Sequence, residues 1–319
     1  MNAQPGISQL VDMLANSPSN WGRWGAEDEV GALNFLTPER VVAAAGAVRS
    51  GKVFTLMTVI GTGNDPVWPG RAQAQRYNTR DKGHYLAGKA DSNPGGTEYA
   101  DDYIAMFLQG ATQYDGLGHV WYDDLLYNGY PADSTVGGMA KASVLPIAEH
   151  GVVGRGVLLD VARFRGKETL DKGEAIDLET LLACAQQQGV ELRKGDILLI
   201  RTGFIGSFYK RESAEFYSNY IEPGLTYSPE LVDWFHDQEI ACLATDTMAN
   251  ERTVHESGAA FVLHAALMRN LGVTFCEILN LEELGADCAA DSQYDFLYAA
   301  APLKVAQATG APVNPMAIK

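Results

Sequence analysis

Gln109-Gly-Ala-Thr-Gln113-Tyr-Asp115-Gly-Leu-Gly-His119 crowds four side chains able to hold a metal or move a proton into eleven residues, and no other stretch is as specific. The apolar run before it, Tyr103 to Leu108, reads as a strand. Gly110, Gly116 and Gly118 let the backbone turn sharply and come close to a ligand. Beyond it, Trp121, Tyr122, Tyr127 and Tyr130 supply aromatic walls of the kind that line small-molecule pockets. Each residue also has a plainer use. An Asp before a Gly forms turns, a lone His is commonly a hydrogen-bonded structural residue, and the amides of Gln109 and Gln113 can simply bond the loop.

The stretch resembles the metal-binding signature of the cyclase family of metal-dependent hydrolases, which includes bacterial kynurenine formamidases and isatin hydrolases. That signature runs His-x-Gly-Thr-His-x-Asp-x-Pro-x-His. Laid on this chain, its first two histidines fall on Gln109 and Gln113, its Gly on Ala111, its Thr on Thr112, its Asp on Asp115, its Pro on Leu117 and its last His on His119. Two imidazoles have become carboxamides. His264 and Glu277, thirteen residues apart, are similar to the family's later His and Glu. Arg23-Trp-Gly, Gly31-Ala-Leu-Asn, Ala301-Pro-Leu and the run from Gly310 to Ala317 also resemble its longer members, so the likeness covers most of the chain.

The resemblance implies the swivelling β/β/α fold of that family, a mixed α/β architecture. It implies Gln109, Gln113, Asp115, His264 and Glu277 as metal ligands, with His119 as general acid and base beside Asp115. An imidazole suits zinc, whereas carboxamide and carboxylate oxygens suit harder ions, so manganese is expected over zinc or magnesium. Neutral oxygen donors bind more weakly than His, and one metal position of two-metal relatives, or metal altogether, is open to loss here.

Composition bounds the rest. A chain of 319 residues buries a substantial core without staples. Cys184, Cys242, Cys276 and Cys288 show no paired short spacing and read as reduced, buried thiols. A net charge of −16 argues against nucleic acid as a partner. Local basic residues such as Arg71, Arg76, Arg80 and Lys82 can steer an acidic substrate or can be solvated loop charges. With no signal peptide and no apolar run near the ~20 residues a bilayer needs, a cytoplasmic protein without membrane contact is expected.

Residues 1–36 read as a helix near Ile7 to Ala15 and an arm around Trp21, Trp24 and Phe35 that must bury its tryptophans on its own body or on a second copy. A capped helix from Pro38 and a strand from Val53 to Ile60 follow. Residues 61–102 are rich in Gly, Pro, Asn and Asp and far exceed the usual ~4–6-residue connection, the mark of a lid, in which His84 is placed to touch substrate. Apolar runs at 156–161, 196–202, 240–244 and 273–279 read as buried strands, and 178–188, 229–235 and 262–271 as helices between them. No linker divides the chain, so one domain spans 1–319. Asp246, Asn250, Glu251, His255 and Glu256 read as a solvated loop.

These readings converge on a hydrolase of a small amide or lactone, cyclic or aromatic, working through metal-activated water, with Trp121, Tyr122 and His84 contacting the substrate. A homo-oligomer is expected. The alternatives are a lyase or cyclase acting on a related carbonyl compound and a non-catalytic small-molecule binder.

Overall fold

The computed structural model describes residues 5–319, so the first four residues of the expected arm lie outside the described residues. Among the described residues thirteen strands form: β1 Val53–Thr55, β2 Gln75–Arg80, β3 Asp101–Ala105, β4 Gln113–Asp115, β5 Val152–Asp160, β6 Ala175–Ile176, β7 Ile197–Arg201, β8 Gly224–Leu225, β9 Cys242–Thr245, β10 Thr274–Glu277, β11 Asp295–Ala300, β12 Gly310–Pro312 and β13 Met316–Ile318. Nine of them make one mixed sheet in the order β1-β13-β11-β5-β7-β9-β10-β4-β12.

Its centre, β5-β7-β9-β10, is parallel. These are the apolar runs of the sequence, and β7, β9 and β10 are buried at every position, as strands covered on both faces must be. Antiparallel strands extend the sheet on both sides, with β11 against β5 and β4 against β10. The helices Leu178–Gln188 and Pro229–Asp237 connect the parallel strands. Asp177 caps the first by accepting from the Thr180 N–H, and Gly189 ends it in the left-handed conformation at φ 69°. Ser228 caps the second, with Pro229 in its first turn.

Several elements differ from the sequence reading. The expected strand 53–60 is confined to Val53–Thr55, and the expected strand 103–108 begins at Asp101 and stops at Ala105. The latter pairs with β2 in a separate ribbon, and every residue of β3 is exposed. The segment 264–270 is a π-helix, a form that concentrates at functional sites. The arm docks on its own body: Trp21 Nε1 donates to the Arg269 carbonyl at 2.8 Å, and the Arg269 guanidinium lies 4.4 Å from the Trp21 ring centroid. All four cysteines are buried and unbridged. Among the described residues no helix is long and apolar enough to cross a membrane.

Candidate functional site

Strand alternation builds the site. Gln113 and Asp115 share one face of β4 while Tyr114 turns to the other, where its hydroxyl bonds Tyr298 at 2.9 Å in the core. Glu277 stands directly opposite Gln113 in the antiparallel register, so it shares that face. Gly310 stands opposite Asp115 and leaves room for the Gln109 side chain, whose Cγ is 2.7 Å from where a Cβ on Gly310 would be. Thr112 fixes the junction, donating to the Ile278 carbonyl at 2.6 Å and accepting from the Thr58 N–H at 3.0 Å. The whole arrangement lies at the carboxyl end of β10, the end of parallel strands where α/β sheets bind ligands.

The glycines are required by packing. A Cβ on Gly116 would lie 2.8 Å from backbone atoms of Ser143 and Val144, and one on Gly110 would lie 3.0 Å from the Phe107 carbonyl.

Asp115, His264 and Glu277 converge, with one donor atom of each lying within 4.8 Å of the others, and all three are buried. His264 opens the π-helix, and its Nδ1 donates to Glu251 Oε1 at 2.6 Å while Nε2 faces Glu277 Oε1 at 3.5 Å. Glu251 also accepts the backbone N–H groups of Leu263 and His264, both at 2.8 Å. A carboxylate on one imidazole nitrogen, with the other turned to the donor cluster, is how proteins orient metal-bound histidines. Burial works against a charged His264, yet its bonds to Glu251 and Glu277 overcome it and lift the pKa to about 10. A proton or a metal ion on Nε2 answers the same carboxylates. Burial, and then the charge of Asp115, push Glu277 upward.

The polar atoms left over fit a cation. Asp115 Oδ2, Gln113 Oε1 and Asn250 Oδ1 are buried without a hydrogen-bond partner, and buried acceptors seldom go unanswered. Three orphaned oxygens beside an imidazole nitrogen and a second carboxylate make a donor set that suits a divalent ion.

The two glutamines behave differently. Gln113 Nε2 donates to Glu277 Oε2 at 2.7 Å and keeps its oxygen free. Gln109 turns its N–H donors to the site, reaching Asp115 Oδ1 at 2.6 Å and His119 Nδ1 at 3.0 Å, while its oxygen accepts from Thr309 at 3.3 Å. In this arrangement Gln109 does not offer an oxygen to the cluster. Burial lowers the His119 pKa and keeps the ring neutral, and with Nδ1 accepting from Gln109 its proton sits on Nε2.

Three residues named from sequence have contacts outside the Asp115, His264 and Glu277 cluster. His84 caps its own short helix through Asp81 at 2.9 Å. Tyr122 donates to Asn270 at 3.2 Å and stacks under Arg269, and Trp121 is 41% exposed beside it. Trp68 and Phe261 have ring centroids 6.0 Å apart, with Phe261 packed edge-on to His264 at 5.3 Å.

Other residues escaped the sequence reading. Glu251 and Asn250, taken for a solvated loop, are buried, and Asn250 approaches Glu277 at 3.4 Å. Asp246 is buried as well, accepting from the Thr202 and Gly203 N–H groups. His255, by contrast, bonds Ser257 at the surface. Glu222 is fully buried, its Oε2 accepting from the Met248 N–H at 2.7 Å and its Oε1 left without a partner. Burial pushes its pKa up to about 8, and Glu277 adds to the rise. The residue after Glu277, Ile278, sits at φ 57°, a left-handed conformation that costs a β-branched side chain energy and concentrates at functional sites.

The sequence profile of a family described as "Putative cyclase" matches residues 34–252. A solved structure described as a novel cyclase is 40% identical, covers 95% of this chain and 100% of its own, and superposes with a TM-score of 0.87. Isatin hydrolase A from Labrenzia aggregata, solved with benzyl benzoate, is 21% identical over 88% of this chain and 99% of its own, at a TM-score of 0.58. A protein from Bacillus stearothermophilus described as a "predicted metal-dependent hydrolase" is 16% identical over 83% of this chain and 97% of its own, at 0.50. The last two likenesses are of fold. No curated protein sequence matches the chain.

Proposed function

Since the chain belongs to the cyclase family, we propose that it is a metal-dependent hydrolase of a small amide or lactone. The observation that carries this reading is the convergence of Asp115, His264 and Glu277 within 4.8 Å, beside oxygens that no donor reaches. Asp115, His264 Nε2 and Glu277 would hold the ion, with the carboxamide oxygen of Gln113 as a further donor. A donor set of one imidazole and several oxygens favours manganese over zinc or magnesium. Such an ion, when bound, polarises a carbonyl and lowers the pKa of a water.

The chain's own residues handle the proton. Asp115 steadies Gln109, and Gln109 holds the neutral His119 ring by Nδ1, so Nε2–H is the donor presented to the departing nitrogen or oxygen. Before that transfer Nδ1, released by Gln109, takes up the proton that the attacking water loses, so the ring that gives up its Nε2 proton is an imidazolium and returns to neutral. Residues 61–102 form the cover of the pocket. A second copy of the chain covers the β2-β3 ribbon, because two strands open to water on both faces are marginal alone. Light scattering reads that assembly directly.

A non-catalytic binder is the second reading, favoured by one observation: Gln109 and Gln113 both answer site carboxylates with N–H donors. Metal content of the purified protein, and ring opening of small cyclic amides and lactones with added manganese, zinc or magnesium, separate the two. Hydrolysis that is lost in Asp115→Asn and His119→Ala supports the enzyme. Metal-free protein, with both variants matching wild type on every substrate, sinks it.

A further inference from the structure

Arg71 ends a tight turn in which its N–H donates to the Trp68 carbonyl at 3.0 Å. The turn is fixed from below. The Tyr217 hydroxyl donates to the Val67 carbonyl at 2.7 Å and accepts from the Val67 N–H at 3.0 Å, and Trp68 packs on Tyr220 and Phe261. Arg71 Nη1 donates to the Gln109 carbonyl at 2.6 Å, which points the half-buried guanidinium at the residue that holds Asp115 and His119. Its charge is felt at both His119 and Glu277.

Acidic side chains outnumber basic ones by 40 to 24 in this chain, so a carboxylate partner is easily had. Arg40, Arg155, Arg165 and Arg201 each take one. Among the described residues Arg71 pairs with none, and the single carbonyl leaves most of its five N–H donors unused. A half-desolvated guanidinium held rigidly at a site mouth is set up to grip a planar anion.

We propose that Arg71 reads an anionic group of the substrate, so that the site selects small carbonyl compounds carrying a carboxylate close to the bond that is cut. This rests on the hydrolase reading for the bond, but not for the anion. The test is a calorimetric titration of the manganese-loaded protein with benzoate and with its neutral isostere benzamide. Benzoate should bind more tightly than benzamide in wild type and about tenfold or more weakly in Arg71→Gln, with benzamide unchanged and Arg71→Lys intermediate. With anionic amides as substrates, KM should rise in Arg71→Gln while kcat holds, and neutral amides should be indifferent. Benzoate binding equal in wild type and a folded Arg71→Gln overturns the proposal. So does a kcat that falls alike for anionic and neutral substrates, which would make Arg71 a stabiliser of the reacting oxygen. Arg71-dependent benzoate binding in a protein that hydrolyses nothing would support the anion site while ending the hydrolase reading.

Discussion

Glu251 Oε1 lies 2.6 Å from His264 Nδ1 and 2.8 Å from the backbone N–H of the same residue, so one carboxylate fixes both the ring and the chain that carries it. Replacing it with glutamine keeps the shape but weakens the acceptor on Nδ1. Glu251→Gln should therefore lower manganese affinity about 10–100-fold, as loss of such a partner does elsewhere. Titration calorimetry reads this, with circular dichroism to check folding, and an unchanged affinity would remove the cluster from the metal's neighbourhood.

Gly116, next in the chain to Asp115, lies against the backbone of Ser143 and Val144 with less room than a methyl group needs. The obstructing atoms are main chain, so no side chain can swing away. Gly116→Ala should cost about 1–3 kcal/mol or more and lower the melting temperature, and it should also weaken metal binding by moving Asp115. A stable variant with normal affinity would show that this contact is soft.

Glu222 gives a pH signature. Burial raises its carboxyl from 4.5 to about 8, so between those values the folded chain holds a proton that the unfolded chain has lost. Stability from this group is then greatest below pH 4.5 and falls as pH rises through 8. In chelator-treated protein, Glu222→Gln should be neutral near pH 5 and stabilising by about 2 kcal/mol at pH 9. Denaturant melts across that range decide it, and a variant less stable at pH 9 would contradict the assignment.

By the resemblance, Gln109 and Gln113 stand where the family signature carries histidines. The double variant Gln109→His, Gln113→His should move metal preference toward zinc by about tenfold, or ~1.4 kcal/mol. Competition between zinc and manganese, read by elemental analysis, tests this. An unaltered preference would mean that neither position faces the ion.

Much of the architecture could be read from local pattern. The runs that became β5, β7, β9 and β10 are apolar because both faces are covered, and Asp177, Gly189 and Ser228 mark helix ends by side-chain chemistry. Strand β4 is harder, because three residues with Gln and Asp on the site face show no apolar alternation. Strand β2, Gln75-Arg-Tyr-Asn-Thr-Arg80, carries polar residues on both faces and resembles a loop for the same reason.

The site divides along similar lines. Asp115, His264 and Glu277 belong to recognisable stretches and do converge. Glu251 and Glu222 are isolated acids whose meaning comes from partners 13 and 26 residues away, His264 and Met248. Nothing in local spacing separates them from surface charge. Tyr122, an aromatic near the motif, stacks under the Arg269 that anchors the arm, a partner that local spacing does not reveal.

Gln113 meets Glu277 across 164 positions of chain. During synthesis, one half of the ion's cradle therefore emerges long before the other exists, and early residues such as Asp115 have nothing to share a cation with. On the proposed reading, loading would wait for the ribosome to deliver the tenth strand, and a captured ion would mark a chain assembled as far as that strand.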